Sequence, residues 1–187
     1  MAYSMNDLRK YLNIELEGIP YKIIEYHHVK PGKGQAFVRT KLKNLIDGRV
    51  VEKTFHAGDK ADEPRLERKK YQYSYNDGDL FYFMDMETYE MVPIDRKLIE
   101  ESQKFLLDGM EVDILFHNGR AIGIELPMVV VLEVIETQPV SNRDRSGACR
   151  KPATLETGAV VTVPCHIVTG DRIKIDTRTG DYLEKMK

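Results

Sequence analysis

Cysteine is scarce in this chain: Cys149 and Cys165 are the two among 187 residues. Two cysteines exclude a disulfide framework of the kind that holds small secreted domains together. Long apolar runs are missing as well. Even the longest, such as Met128 to Leu132, fall far short of the about 18–20 residues of a membrane helix. The first residues, Met-Ala-Tyr-Ser-Met-Asn-Asp, lack the basic and then apolar pattern of a signal peptide. The expectation is a cytoplasmic protein, away from membranes, with reduced thiols. What is present in quantity is ordinary globular material, 42% hydrophobic and 31% charged. That excludes a disordered chain and suffices for a sizeable core, with one to two domains expected from length.

No single charge sign dominates, yet the net charge of −2 hides a gradient. Residues 1–64 carry net +2, residues 65–127 net −5 and residues 128–187 net +1. The sharpest excess runs from Lys30 to Lys53, where Lys30, Lys33, Arg39, Lys41, Lys43, Arg49 and Lys53 face only Asp47 and Glu52. Such a stretch suits phosphate attraction or a solvated strand face.

The pattern is mostly that of short strands. Asn13 to Glu17 alternates polar and apolar, with Gly18 after it; Tyr21 to Tyr26, Ala36 to Leu45 and Val50 to Phe55 are further candidates. Asp47-Gly48 between the last two is a hairpin signal, because both residue types tolerate positive φ. The polar run Lys60 to Pro64 reads as a linker. Tyr71, Tyr73 and Tyr75 recur at period two, which puts three rings on one face of a strand. An aromatic stripe can stack nucleic-acid bases or pack a barrel. One helix is expected over 95–107, with an apolar face through Leu98, Ile99, Phe105 and Leu106, a cap at Asp95 and a stop at Asp108-Gly109.

An internal echo follows. The stretch from Gly109 to Gly119 reappears 61 positions later from Gly170 to Gly180, with apolar residues at matching alternate places. A strand–turn unit repeated at that spacing suggests two β-modules of similar size and favours small barrels.

Chemistry-bearing constellations are lacking. The histidines, His27, His28, His56, His117 and His166, are dispersed. Cys149 and Cys165 are sixteen apart, and a zinc site would need a closer pair too. There is no G-x-S-x-G, no G-x-G-x-x-G and no Walker loop; Gly32-Lys33-Gly34 lacks the upstream glycine and the following Ser/Thr. No catalytic residue, metal ligand or cofactor is expected. The singular feature is Lys30-Pro31-Gly32-Lys33-Gly34-Gln35-Ala36-Phe37. Pro31 restricts one φ while the glycines free the backbone on both sides of Lys33. A lysine so presented can contact phosphate, carry a covalent modification or enter a partner's cleft, or stand solvated on a turn.

These residues resemble bacterial elongation factor P over essentially the whole chain. The resemblance rests on Lys30 to Phe37, Val51-Glu-Lys-Thr-Phe55, Tyr75-Asn-Asp-Gly78, Lys151-Pro-Ala-Thr-Leu-Glu-Thr-Gly158, Val163-Pro164 and Ile175-Asp-Thr-Arg-Thr-Gly-Asp-Tyr182. It implies an all-β protein of three small barrels with an L-shaped, tRNA-like outline. These are an SH3-like barrel of the KOW type over 1–64, and OB-folds over 65–127 and 128–187. It further implies a monomeric, non-enzymatic factor that binds the ribosome next to peptidyl-tRNA, between the peptidyl and exit sites. There it would stimulate peptide-bond formation and relieve stalling at consecutive prolines.

In that family Lys33 aligns with a lysine altered by modifying enzymes, and the P-G-K-G-Q context resembles the β-lysylated type. Lys30, Pro31, Gly32, Gly34 and Gln35 would form the tip loop. Arg39, Lys41 and Lys43 are candidates for the tRNA backbone, and Tyr182 for an RNA interface or for barrel packing. The chain departs from the family ahead of Lys151, where Arg143 and Arg145 flank Asp144 in place of Gly and Thr. Codon reading by that loop is therefore in question, and Arg143, Arg145 and Arg150 suit less selective backbone contact from an exposed loop. A generic nucleic-acid-binding OB protein would explain the barrels and the basic stretch but would not require Lys33.

Overall fold

The computed structural model describes residues 1–139 and 149–187, and among them three antiparallel sheets account for nearly all regular structure. The first sheet has β1 (Ala2–Ser4), β2 (Asn13–Leu16), β3 (Ile19–Val29), β4 (Phe37–Asn44), β5 (Val50–His56) and β6 (Lys60–Asp62), in the order β1-β6-β2-β3-β4-β5. The second has β7 (Glu67–Asn76), β8 (Leu80–Asp85), β9 (Met91–Asp95), β10 (Glu111–His117) and β11 (Arg120–Glu125), ordered β11-β10-β7-β8-β9. The third has β12 (Val129–Thr137), β13 (Arg150–Leu155), β14 (Val160–Pro164), β15 (Arg172–Asp176) and β16 (Tyr182–Lys185), ordered β14-β13-β12-β15-β16. The chain divides into two compact units, Met1–Lys69 with Ile114–Gly123, and Lys70–Asp113 with Ile124–Lys187.

In the first unit the alternation of β4 decides its faces. Val38, Thr40 and Leu42 point into a core with Ile14, Ile23 and Phe55, while Arg39, Lys41 and Lys43 point out. The Thr40 hydroxyl satisfies itself by donating to the Lys53 carbonyl at 2.8 Å. The linker expected at 60–64 is not there as such: Lys60–Asp62 is a strand paired with β1, and Ala61 is buried in the core. A small apolar residue between polar ones reads as a loop until a partner strand gives it a buried face. The hairpin tip of β10 and β11 also belongs to this unit. Asn118 and Gly119, both at positive φ (50° and 78°), form its two-residue turn, the geometry that matches strand twist. Leu115 and Ile122 bury against Leu45, and the buried His117 places Nε2 3.4 Å from Glu15 Oε2.

The 61-residue echo is real in three dimensions. The second and third sheets share one strand order, with β7 standing where β12 stands and β10 where β15 stands. The Tyr73 amide donates to the Met110 carbonyl as the Val134 amide donates to that of Asp171. Gly109 and Gly170 donate back to the carbonyls of Tyr73 and Val134 at 2.9 and 2.8 Å. Even the β-bulges correspond, falling between Tyr73 and Tyr75 and between Val134 and Glu136.

That bulge corrects the tyrosine stripe. Tyr71 and Tyr73 are buried at 5% and 4%, but Tyr75 is 52% exposed. The extra residue breaks the period of two, so Tyr75 leaves the core face and stacks on Tyr82 with centroids 4.5 Å apart. The helix, α1 (Arg96–Gln103), is shorter than its apolar pattern suggested. Asp95 caps it as expected, accepting from the Lys97 amide at 2.8 Å. Its last turn tightens, with the Phe105 and Leu106 amides reaching Ser102 and Gln103. The chain then swings out, and Phe105 enters the core of the third sheet beside Leu132, Leu155 and Ile175.

Candidate functional site

The Lys33 loop joins β3 and β4, whose register runs from Tyr21↔Asn44 to Val29↔Phe37. At about 3.3 Å per residue, β3 alone extends roughly 33 Å. Pro31, Gly32, Lys33, Gly34 and Gln35 are all exposed and outside regular structure, as is Lys30 before them. Gly34 takes φ +109°, a conformation that side chains resist. Lys33 therefore stands exposed at the far end of a long hairpin.

Below the loop, the outward face of β3, β4 and β5 carries cross-strand rows. His27 lies opposite Arg39, Glu25 opposite Lys41 and Lys22 opposite Lys43. Lys41 forms an ion pair with Glu25 at 3.0 Å and also faces Glu52. Arg39 lies over the Phe37 ring at 5.5 Å, and Phe37 meets the His56 ring at 6.0 Å. The three basic residues are thus unequal: the charge of Lys41 is offset by a neighbour, while Arg39 rests on an aromatic. Sequence reasoning missed Phe37 and His56 as part of this face; the register of Val29, Phe37 and His56 across three strands assembles it.

In the second unit Tyr182 opens β16, half-buried against the core of the third sheet and opposite Ile175, which favours its packing role. Arg143, Asp144 and Arg145 lie outside the described residues. Arg150 is not in a loop but opens β13 opposite Pro164. Lys151, 7% exposed, donates from Nζ to the Gln138 carbonyl at 2.6 Å, and Thr137 Oγ1 donates to the Pro152 carbonyl. These bonds tie the facing ends of β12 and β13, a role for Lys151 that its sequence neighbours do not signal. Nearby, the expectation of reduced thiols is overturned: Cys149 and Cys165 form a disulfide. Their separation of sixteen hid the pair because β13 and β14 fold back on each other and bring the two opposite. Among the described residues no group of three or more His, Cys, Asp or Glu is placed to hold a metal ion.

Carboxylates at turns are held ionised. Asp77 accepts from the Leu80 and Asp79 amides and from the Tyr82 hydroxyl, which keeps it below the usual carboxylate range. Lys185 does the same for Asp171, and Arg178 for Asp176.

Known families match this chain along most of its length. Residues 4–61 match the Elongation factor P (EF-P) KOW-like domain, residues 66–124 the EF-P OB domain, and residues 130–185 the Elongation factor P C-terminal family. Elongation factor P of Wolinella succinogenes is 54% identical over 187 residues, covering all of both chains. That of Campylobacter jejuni subsp. jejuni is 58% identical over 184 residues, 98% of this chain and 97% of the relative. The solved structure of eukaryotic translation initiation factor 5A from Methanococcus jannaschii aligns with a TM-score of 0.46 at 25% identity, over 67% of this chain and 94% of that one. The sheets and these matches define a nearly all-β translation factor with a KOW-like domain and OB domains. Within that class the chain belongs to the elongation factor P family and is a translation elongation factor.

Proposed function

We propose that this elongation factor binds the ribosome beside peptidyl-tRNA, between the peptidyl and exit sites, and promotes peptide-bond formation at consecutive prolines through Lys33. It acts as a cytoplasmic monomer of three domains, 1–64, 65–127 and 128–187, without catalytic residues of its own. The observation that carries this reading is the placement of Lys33, exposed at the tip of a long hairpin whose outer face presents Arg39 and Lys43. Proline is a poor participant in peptide transfer because its amine is secondary and its ring limits approach. The obstacle is geometric, and holding reacting groups in an attack-competent pose lowers a barrier by several kcal/mol. The tip orders the 3′ end of peptidyl-tRNA. A β-lysyl group on Lys33 lengthens the reach and adds donors for phosphate or 2′-hydroxyl oxygens. Arg39 and Lys43 supply affinity through the RNA backbone.

The test is a reconstituted translation assay on a polyproline reporter. Lys33→Ala should fold normally, since an exposed turn side chain contributes little stability, and should lose the rescue. Full rescue by that variant would overturn the reading. Intact mass of the protein from its own host should show an addition localised to Lys33.

A further inference from the structure

We propose that Cys149 and Cys165 are a reversible thiol–disulfide couple, closed by exchange with a low-molecular-weight disulfide, in which Cys149 is the attacking thiol. The inference rests on the chain working as a translation factor in a reducing compartment, where a disulfide persists only under oxidising conditions.

Register makes the pair. Arg150 lies opposite Pro164 in the β13–β14 ladder, and one step outward Cys149 faces Cys165. The Cys165 amide donates to the Cys149 carbonyl at 3.2 Å, and the Cα atoms are 5.5 Å apart. That spacing lies in the usual range for a disulfide, so bonding requires no backbone displacement.

The bond is not needed to hold the fold. A disulfide stabilises chiefly by closing a loop in the unfolded chain, and its effect grows with loop length. Opening the sixteen-residue loop forfeits that effect, but five ladder pairs from Arg150↔Pro164 to Thr154↔Val160 hold the two strands together without the bond. Ala153, Leu155, Val161 and Val163 anchor both strands in the core independently. The reduced protein therefore keeps its structure, and opening or closing the bond is a local event at the open end of this hairpin.

The two sulfurs are not equivalent. Cys165 is buried, between Val163 and the fully buried Ile167. Cys149 is only half-buried, so it is the sulfur that a small disulfide reaches first. In the forward reaction the Cys149 thiolate attacks one sulfur of the small disulfide, forming a mixed disulfide and releasing one small thiolate. Cys165 then loses its proton and attacks Cys149 Sγ, releasing the second. Two electrons pass from the protein to the small disulfide, and the two thiol protons end on the two small thiols released. Excess small thiol runs the sequence backwards.

The full chain is equilibrated in glutathione buffers of graded reduced-to-oxidised ratio, acid-quenched, alkylated and weighed intact. Two alkyl groups should add in reducing buffers and none in oxidising ones, with near-UV circular dichroism unchanged. Cys165→Ser, with Cys165→Ala as a second version, should accumulate a glutathione adduct on Cys149. Cys149→Ser should form its adduct at least about tenfold more slowly. Alkylation of both thiols at every ratio, or a bond that survives excess dithiothreitol until the protein is denatured, would overturn the couple. A faster adduct on Cys165 than on Cys149 would overturn the assignment of the attacking thiol. The labelling is independent of polyproline rescue, so loss of the Lys33 reading leaves its result intact.

Discussion

Phe105 lies beneath Gly180: a Cβ built on that glycine would stand 3.6 Å from the Phe105 ring. The ring comes from the segment after α1, yet it completes the core of the third sheet with Leu132 and Ile175. Replacing it with alanine leaves a cavity in that core. Phe105→Ala should cost about 3–5 kcal/mol, read as a lower midpoint in chemical denaturation. Gly180→Ala meets only ordinary contact but must hold φ +78°, so a loss of roughly 1 kcal/mol is expected from backbone strain alone.

Tyr73 and Tyr75 are two residues apart and chemically identical, but the bulge separates their fates. Tyr73 is buried against Phe81 and Phe83, and its hydroxyl accepts from Asn76 Nδ2 at 2.7 Å. Tyr73→Ala should cost several kcal/mol, as large aromatic truncations in cores do. Tyr75→Ala should cost about 1 kcal/mol, the scale of an exposed ring pair. Equal losses in a denaturation series would contradict the register across β7 and β8.

Arg39 and Lys41 sit on one face of β4 but differ in what surrounds them. Lys41 is paired with Glu25, whereas Arg39 lies over the Phe37 ring at 5.5 Å. If this face meets RNA backbone, Arg39→Ala should lower the slope of log affinity against log salt by about one phosphate contact, roughly 0.7–0.9. Lys41→Ala should change it less, because the charge of Lys41 is already offset by Glu25. Ribosome binding across a potassium chloride series measures both, and identical slopes for the two variants would argue against this difference.

Asp171 and Asp176 predict the acid response of the C-terminal sheet. Each has a folded-state pKa below its usual value, Asp171 through Lys185 and Asp176 through Arg178. Such groups contribute stability above the unfolded carboxylate pKa of about 3.9, and lose it as pH falls through the folded value. Asp171→Asn should lower stability at pH 7 by up to about 1 kcal/mol, the scale of a surface ion pair. The variant and the parent should converge as pH falls below the folded-state value of Asp171. Thermal unfolding at pH 7 and in acid checks both, and a difference that persisted in acid would assign the effect to packing.

Much of this protein was decided locally and can be read from the chain. The Pro31-Gly32-Lys33-Gly34 tip, the Asp95 cap and the repeat from Gly109 to Gly180 depend on residues close in sequence, whose backbone preferences act without distant partners. The all-β class follows for the same reason, since alternation and turn residues are short-range signals. Tertiary structure decided the rest. Strand Lys60–Asp62 exists because β1 pairs with it, and Tyr75 is exposed because β8 sets the bulge. Phe105 left its helix because a core elsewhere had room for a ring, and Cys149 met Cys165 because two strands fold back. Each of these depends on which surface lies opposite, a property of paired strands that no single stretch of residues contains.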